Sequence, residues 1–207
     1  MAKGIEWRNT THDWAAGVDH AHLQSIRAAP ATMVPGGIRQ LILEVVAYAA
    51  DEAESRGTGR CLVGLHADGS VSVSDDGRGT DTRIDEQGKY VKKPIMASKD
   101  LRFFDFPEAQ SLPDGSPRRG ISVVAALSRR LEHTNRRANG AWTQHYEYGV
   151  PVTDLLPVAA NGTTGTTVRF LPEAGIPTTD APRTDELLHL TECWPHLSVR
   201  VEDERTT

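Results

Sequence analysis

The sequence is poor in cysteine, in long apolar runs and in positive charge. Its two cysteines, Cys61 and Cys193, lie far apart and form no Cys-x-x-Cys pair. That speaks against a disulfide framework and for reduced thiols in a cytoplasm. No apolar run approaches the roughly 18 residues of a membrane span, so no membrane partner is expected. The opening stretch MAKGIEWRNTTHDW lacks the apolar core of a signal peptide. The formal net charge is -5. A free-standing nucleic-acid binder usually carries a basic excess, so direct DNA binding is not expected. The histidines are scattered. His12, His20 and His22 are close together but have no metal-type spacing with cysteine, which fits a solvated loop better than a metal site. No internal repeat is visible.

What is present reads as a soluble globular domain, with 38% hydrophobic and 25% charged residues in 207. Residues 1–30 are polar and are expected to be a less ordered arm, with a short helix in WAAGVDHAHLQSIRAAP ended by Pro30. From Ile38 to about Ser55 the apolar residues Leu41, Ile42, Val45, Val46, Ala49, Ala50 and Ala53 fall at helical spacing. RCLVGLH and VSVSDD predict a hairpin turning at Asp68-Gly69. Residues 81–119 are irregular, polar and rich in proline, a lid-like connection. RGISVVAALSRRL predicts a short buried helix after Gly120. LEHTNRRANGAWTQHYEYGV predicts a hairpin with Asn139-Gly140 at its turn. GTTGTTVRFLP reads as a strand, TDELLHLTECWP as a helix and LSVRVED as a last strand. The fold class that follows is α+β: a two-layer sandwich with helices on one face of a mixed, mostly antiparallel sheet.

One stretch asks for more than a turn. In VSVSDDGRGT, Val71 to Thr80, a strand ends in two carboxylates followed by Gly-Arg-Gly. A plain turn needs one Asp and one Gly. Glu44, Tyr48 and Asp51 lie at i, i+4 and i+7, so they share one face of the preceding helix.

Together these residues resemble the ATPase domain of the DNA gyrase B protein, in the GHKL group with the Bergerat fold. EVVAYAADEA is similar to the family's EVVDNAxDEA, HADGSVSVSDDGRG to its HxDxSxxVxDDGRG, and ISVVAALS to its VSVVNALS. QHYEYGVP and GTTVRF also match. The likeness covers about Trp14 to Asp203 and implies one GHKL-type domain over residues 1–207. It implies that Asp75 accepts a hydrogen bond from the exocyclic amine of adenine, which favours adenine over guanine. Gly77 and Gly79 would let the backbone pass beneath the purine. Arg78 would lie over the base and pair with Asp51, and Thr166 would stand beside Asp75. Val73, Ile95 and Met96 match apolar walls of the purine pocket. Arg137 matches the arginine at its mouth that contacts coumarin inhibitors in the family. Glu44 matches the general base that activates the attacking water.

The departures fall at the phosphate end. The family's magnesium-ligating Asn is Tyr48 here, and a phenol is a poor ligand for Mg²⁺. The residue before it, Asp in the family, is Ala47. The phosphate loop GLHGVG reads GSPRRG: Gly115 and Gly120 remain, Pro117 removes one N–H donor, and Arg118 and Arg119 offer side-chain charge instead. The lid motif HAGGKF becomes DLRFFDF, with Phe103 and Phe104 as a pocket cap or a protein anchor. No stretch matches the family's second domain, its DNA-cleaving domain or its metal-binding module, so a complete topoisomerase is not expected.

Three readings stay open. The first is an adenine-nucleotide (ATP or ADP) binding protein with weak or absent hydrolysis and no firm need for Mg²⁺. The second is a slow ATPase completed by a protein partner or homodimer. The third is a pseudoenzyme that serves as an interaction module.

Overall fold

The computed structural model of the chain describes residues 17–84, 90–104, 110–176 and 182–205. Six helices lie among them: α1 (His20–Ala28), α2 (Pro30–Met33), α3 (Gly37–Arg56), α4 (Leu101–Phe104), α5 (Ile121–Ala126) and α6 (Thr184–Thr191). The strands are β1 (Gly59–Leu65), β2 (Val71–Asp75), β3 (Thr82–Ile84), β4 (Tyr90–Lys92), β5 (Ser128–Arg137), β6 (Gly140–Glu147), β7 (Val150–Pro151), β8 (Leu156–Pro157), β9 (Gly165–Pro172) and β10 (Leu197–Asp203).

The main sheet runs β10-β1-β2-β9-β5-β6-β7, with β8 beside β6, while β3 and β4 pair separately. Among the described residues, only the β1–β10 pair is parallel. β2 alternates: Val71 and Val73 are buried, whereas Ser72 and Ser74 point the other way, where Ser74 Oγ meets Thr167 Oγ1 at 3.0 Å. α3 packs on β1, β2 and β10, α5 packs on β5, β6 and β9, and α1 covers α5. The result is the α+β sandwich: helices over a mixed, mostly antiparallel sheet. Leu41, Ile42, Val46, Val63, Val168 and Phe170 fill its core at 1% exposure or less. Each such side chain contributes roughly 1.5–3 kcal/mol on burial. α3 ends at Gly57, whose φ of +79° caps the helix in the left-handed region.

One local expectation is met and two change. Within the arm expected to be less ordered, residues 20–28 form the short helix that the sequence predicted. Asp19 caps α1 by accepting the His22 N–H at 2.9 Å, and Leu23 and Ile26 are buried in the core. The helix expected through Leu131 stops at Ala126, because Ser128 onward pairs with β9; sheet pairing overrides the helical pattern. In the β5–β6 hairpin Arg137 pairs with Gly140, so the turn is Ala138-Asn139 rather than Asn139-Gly140. Gly140 is needed for packing: a Cβ there would lie 2.7 Å from the Trp142 ring. Both cysteines are free thiols, Cys61 buried and Cys193 exposed. No helix among the described residues is long and apolar enough to cross a membrane.

Candidate functional site

Asp75 ends β2 and borders a slot of about 140 Å³ between α3 and the sheet. Val45, Val73, Ile95, Ile121 and Val168 supply apolar walls, and Tyr48, Glu52, His133 and Thr166 the polar groups. Gly79 and Thr80 line it too. Burial pushes the Asp75 carboxyl up to about 6, and the N–H groups of Gly77 and Thr166, which donate to it, hold the rise in check. The Gly77 bond is 2.8 Å long. The second acid has a different task. Asp76 turns away and accepts from the Arg60 N–H at 2.7 Å, tying the loop to β1.

The Gly-Arg-Gly turn is pinned from both sides. Arg78 does not pair with Asp51, as the sequence suggested. It clamps Glu52 through two guanidinium bonds of 2.7 and 2.9 Å and donates its own N–H to Glu52 at 3.0 Å. Adjacent helix positions point about 100° apart, so Asp51 and Glu52 face different neighbours. Gly77 makes room for this clamp, since a Cβ would stand 2.6 Å from Glu52 Cγ. Gly79 has φ +79°, and a Cβ there would meet Asn135 Oδ1 at 2.6 Å and the Arg136 carbonyl at 2.7 Å. Asn135 accepts from the Thr80 N–H at 2.6 Å and donates to the Thr80 carbonyl at 3.0 Å. Arg137 donates to the Gly79 carbonyl at 2.7 Å and pairs with Asp81 at 3.0 Å, so it braces the turn.

The other end of the cleft is built from α3 and residues 110–121. Glu44 is fully buried. Its two oxygens accept the backbone N–H groups of Arg119 at 2.5 Å and Gly120 at 2.8 Å. Burial pushes its carboxyl up to about 7, with those two donors opposing the rise. Tyr48 Oη donates to Asp100 at 3.0 Å and accepts the Ile121 N–H at 3.3 Å. Its hydroxyl is held well above the usual phenol range by burial and then by Asp100. Asp51 takes two bonds from the buried Arg118 guanidinium, at 3.0 and 2.7 Å, and Gln110 takes a third at 3.0 Å. Arg102 pairs with Asp100 at 2.8 Å and reaches Asp51 at 3.5 Å.

The magnesium that the family resemblance implies does not fit these residues. Tyr48 already uses its hydroxyl as both donor and acceptor, and both Glu44 oxygens are hydrogen-bonded. A magnesium ion needs several free oxygen ligands in octahedral order. Among the described residues, no three His, Cys, Asp or Glu side chains cluster as metal ligands.

Of the residues singled out in the sequence, Tyr48, Val73, Asp75, Gly79, Ile95 and Thr166 line the slot. Met96 does not; it is fully buried in the core. Gly115 sits in the exposed turn after Leu112 and does not line the slot either. Arg118 is 4% exposed and paired, so it is not a loose basic turn. Phe103 is no protein anchor: it is 2% exposed, with the Arg102 and Arg118 guanidinium carbons 4.7 and 4.5 Å from its ring centre. The Phe104 side chain lies outside the described residues. The sequence reading missed Val45, Glu52, Thr80, Ile121, His133 and Val168. Val45, Tyr48 and Glu52 repeat at i, i+3 and i+7, a second helical face that was there to be read. His133 has no such signal; its place depends on pairing opposite Val168 in the β5–β9 register.

Comparison with known proteins gives a consistent result. The DNA gyrase B protein of Mycolicibacterium smegmatis is 35% identical over 196 residues, 89% of this chain and 28% of the relative. The mitochondrial gyrase B protein of Arabidopsis thaliana is 35% identical over 150 residues, 69% of this chain and 20% of the relative. The DNA gyrase B protein of Haloferax volcanii is 35% identical over 166 residues, 74% of this chain and 26% of the relative. No family model matches. The chain spans about a quarter of the length of the curated relatives it matches.

Proposed function

This chain belongs to the family of the DNA gyrase B ATPase domain, and from that premise we propose that it is a single GHKL-type domain that binds an adenine nucleotide, ATP or ADP, at the Asp75 slot, with weak or absent hydrolysis. The observation that carries this reading is the slot itself: a narrow cleft with apolar walls and the half-buried Asp75 carboxylate at its end. A carboxylate accepts from the amine of adenine and repels the carbonyl of guanine. Apolar walls suit the faces of a flat ring.

Weak hydrolysis follows from the other end. A general base must be within reach of the water it activates, and Glu44 has both oxygens on backbone N–H groups. Without a metal, the developing charge on the phosphates lacks a stabiliser worth several kcal/mol. The slow-ATPase reading would need a protein partner or second copy to draw Glu44 off the loop. The interaction-module reading loses the support of Phe103, which is buried.

The test is thermal unfolding with ATP, ADP and AMP, each with Mg²⁺ and with a chelator. Ligand at 100 times its Kd stabilises the native state by about 2.7 kcal/mol. The expected result is a rise in Tm with adenine nucleotides that chelation leaves unchanged. No rise with any of them refutes the reading. A rise only with Mg²⁺, together with turnover lost in Glu44→Ala, favours the slow ATPase.

A further inference from the structure

The phosphate end of the cleft already has its anions. Four successive backbone N–H groups have acceptors within the chain. Arg118 donates to the Gln110 carbonyl at 2.8 Å, Arg119 and Gly120 to Glu44, and Ile121 to Tyr48 Oη. These are the donors a phosphate at this loop would use. To reach them it would have to displace a fully buried carboxyl group that accepts two backbone hydrogen bonds.

Four arginine side chains around the cleft are paired with carboxylates as well. Arg118 is bidentate on Asp51 with its side chain 5% exposed. On the open surface beside the slot, Arg78 is clamped on Glu52, Arg102 on Asp100 and Arg137 on Asp81. A phosphate leaving the slot in that direction meets three arginines whose charges are already balanced by carboxylates, and Lys93. The slot itself, at about 140 Å³, is well below the roughly 300–1,000 Å³ of sites that enclose a drug-sized ligand. It has room for a base; anything attached to that base would lie in the open cleft of about 570 Å³ that adjoins it and shares Tyr48, Glu52, Gly79, Thr80 and Ile95.

We propose that the ligand is recognised as an adenine base or nucleoside, with its phosphates adding nothing to affinity, because Glu44 fills the anion position of the loop. This rests on the reading of the Asp75 slot given above. Glu44 is then a positioning residue that fixes residues 118–121 against α3. The preferred ligand class is adenosine and its 5′-substituted derivatives, whichever group the 5′ position carries.

Calorimetric titration of the whole chain with adenosine, AMP, ADP and ATP in the presence of a chelator tests this. The expected result is that AMP, ADP and ATP each bind less than about tenfold tighter than adenosine. A preference of about tenfold or more for any phosphorylated ligand overturns the inference and leaves the slot reading standing. No binding of any of the four overturns the slot reading, and this inference with it. A second arm uses Glu44→Ala, which vacates both N–H groups. In the folded variant AMP should gain at least about threefold on adenosine relative to the parent; a smaller change overturns the role given to Glu44. If Glu44→Ala fails to fold, Glu44→Leu, which keeps the volume and removes both acceptors, is read by the same criterion.

Discussion

The two ends of one cleft, which the proposed reading assigns to the base and to the phosphates, are built differently. At the base end, Asp75 stands at the close of a strand beside an apolar slot, and the turn that follows is braced by Glu52, Asn135 and Arg137. At the phosphate end, Glu44, Tyr48 and Asp51 have turned their oxygens inward onto the chain's own donors. The first end keeps a shaped space bordered by a half-buried acceptor. The second has satisfied itself. A buried polar group left without a partner costs about 1–3 kcal/mol, so a loop with no standing ligand is most stable when the protein supplies the acceptors. Family membership is therefore compatible with different chemistry at the two ends.

Acid–base linkage should separate the ends most strongly. The Glu44 carboxyl rises from 4.5 to about 7 on folding. The native state then binds more protons than the unfolded chain, so its contribution is full below about pH 4.5 and is lost as pH rises through 7. The span corresponds to about 3 kcal/mol. Denaturant titrations from pH 4.5 to 7.5 should show stability falling with pH. Asp75, raised to about 6, shares the slope below pH 6, and Glu44→Gln should flatten the part between pH 6 and 7. An unchanged slope would mean the carboxyl is not buried as described.

Next in size is the ion pair that closes the phosphate end. Asp51→Ala leaves the buried Arg118 guanidinium with Gln110 as its remaining side-chain acceptor, and should lower unfolding free energy by about 1–3 kcal/mol. Urea midpoints check this. Adenosine affinity should stay within about twofold of the parent, because Asp51 does not line the slot. A large loss of affinity would merge the two ends into one functional unit.

At the base end, Asp75→Asn replaces an acceptor with an amide that can point a donor at the adenine amine. Binding of adenosine should weaken about 10–100-fold. The parent should show a related pH effect: Asp75 titrates at about 6, so affinity should be full above that pH and decline below it as the carboxyl takes up a proton. Calorimetry at pH 7.5 and pH 5 reads both. The smallest effect expected is for Arg78→Ala. Arg78 contacts Glu52 and Ser55, and adenosine affinity should change by no more than about twofold. A large loss would restore Arg78 to the place over the base that the sequence resemblance implied.

The sequence carried much of this unaided. Strand alternation in VSVSD set Val73 inward and ended at Asp75, because successive side chains on a strand point to opposite faces. Helical spacing placed Glu44, Tyr48 and Asp51 on one face of α3. These are short-range facts, determined by backbone geometry over a few residues. Partners were another matter. Glu44 meets Arg119 and Gly120 across 75 and 76 residues, and Asp51 meets Arg118 across 67. Asp51 and Glu52 are neighbours in the chain, yet one holds the loop and the other holds Arg78. Only the packing of α3 between residues 110–121 and the end of β2 decided that division, since a helix turns about 100° per residue and each carboxylate binds whatever the fold brings to its side.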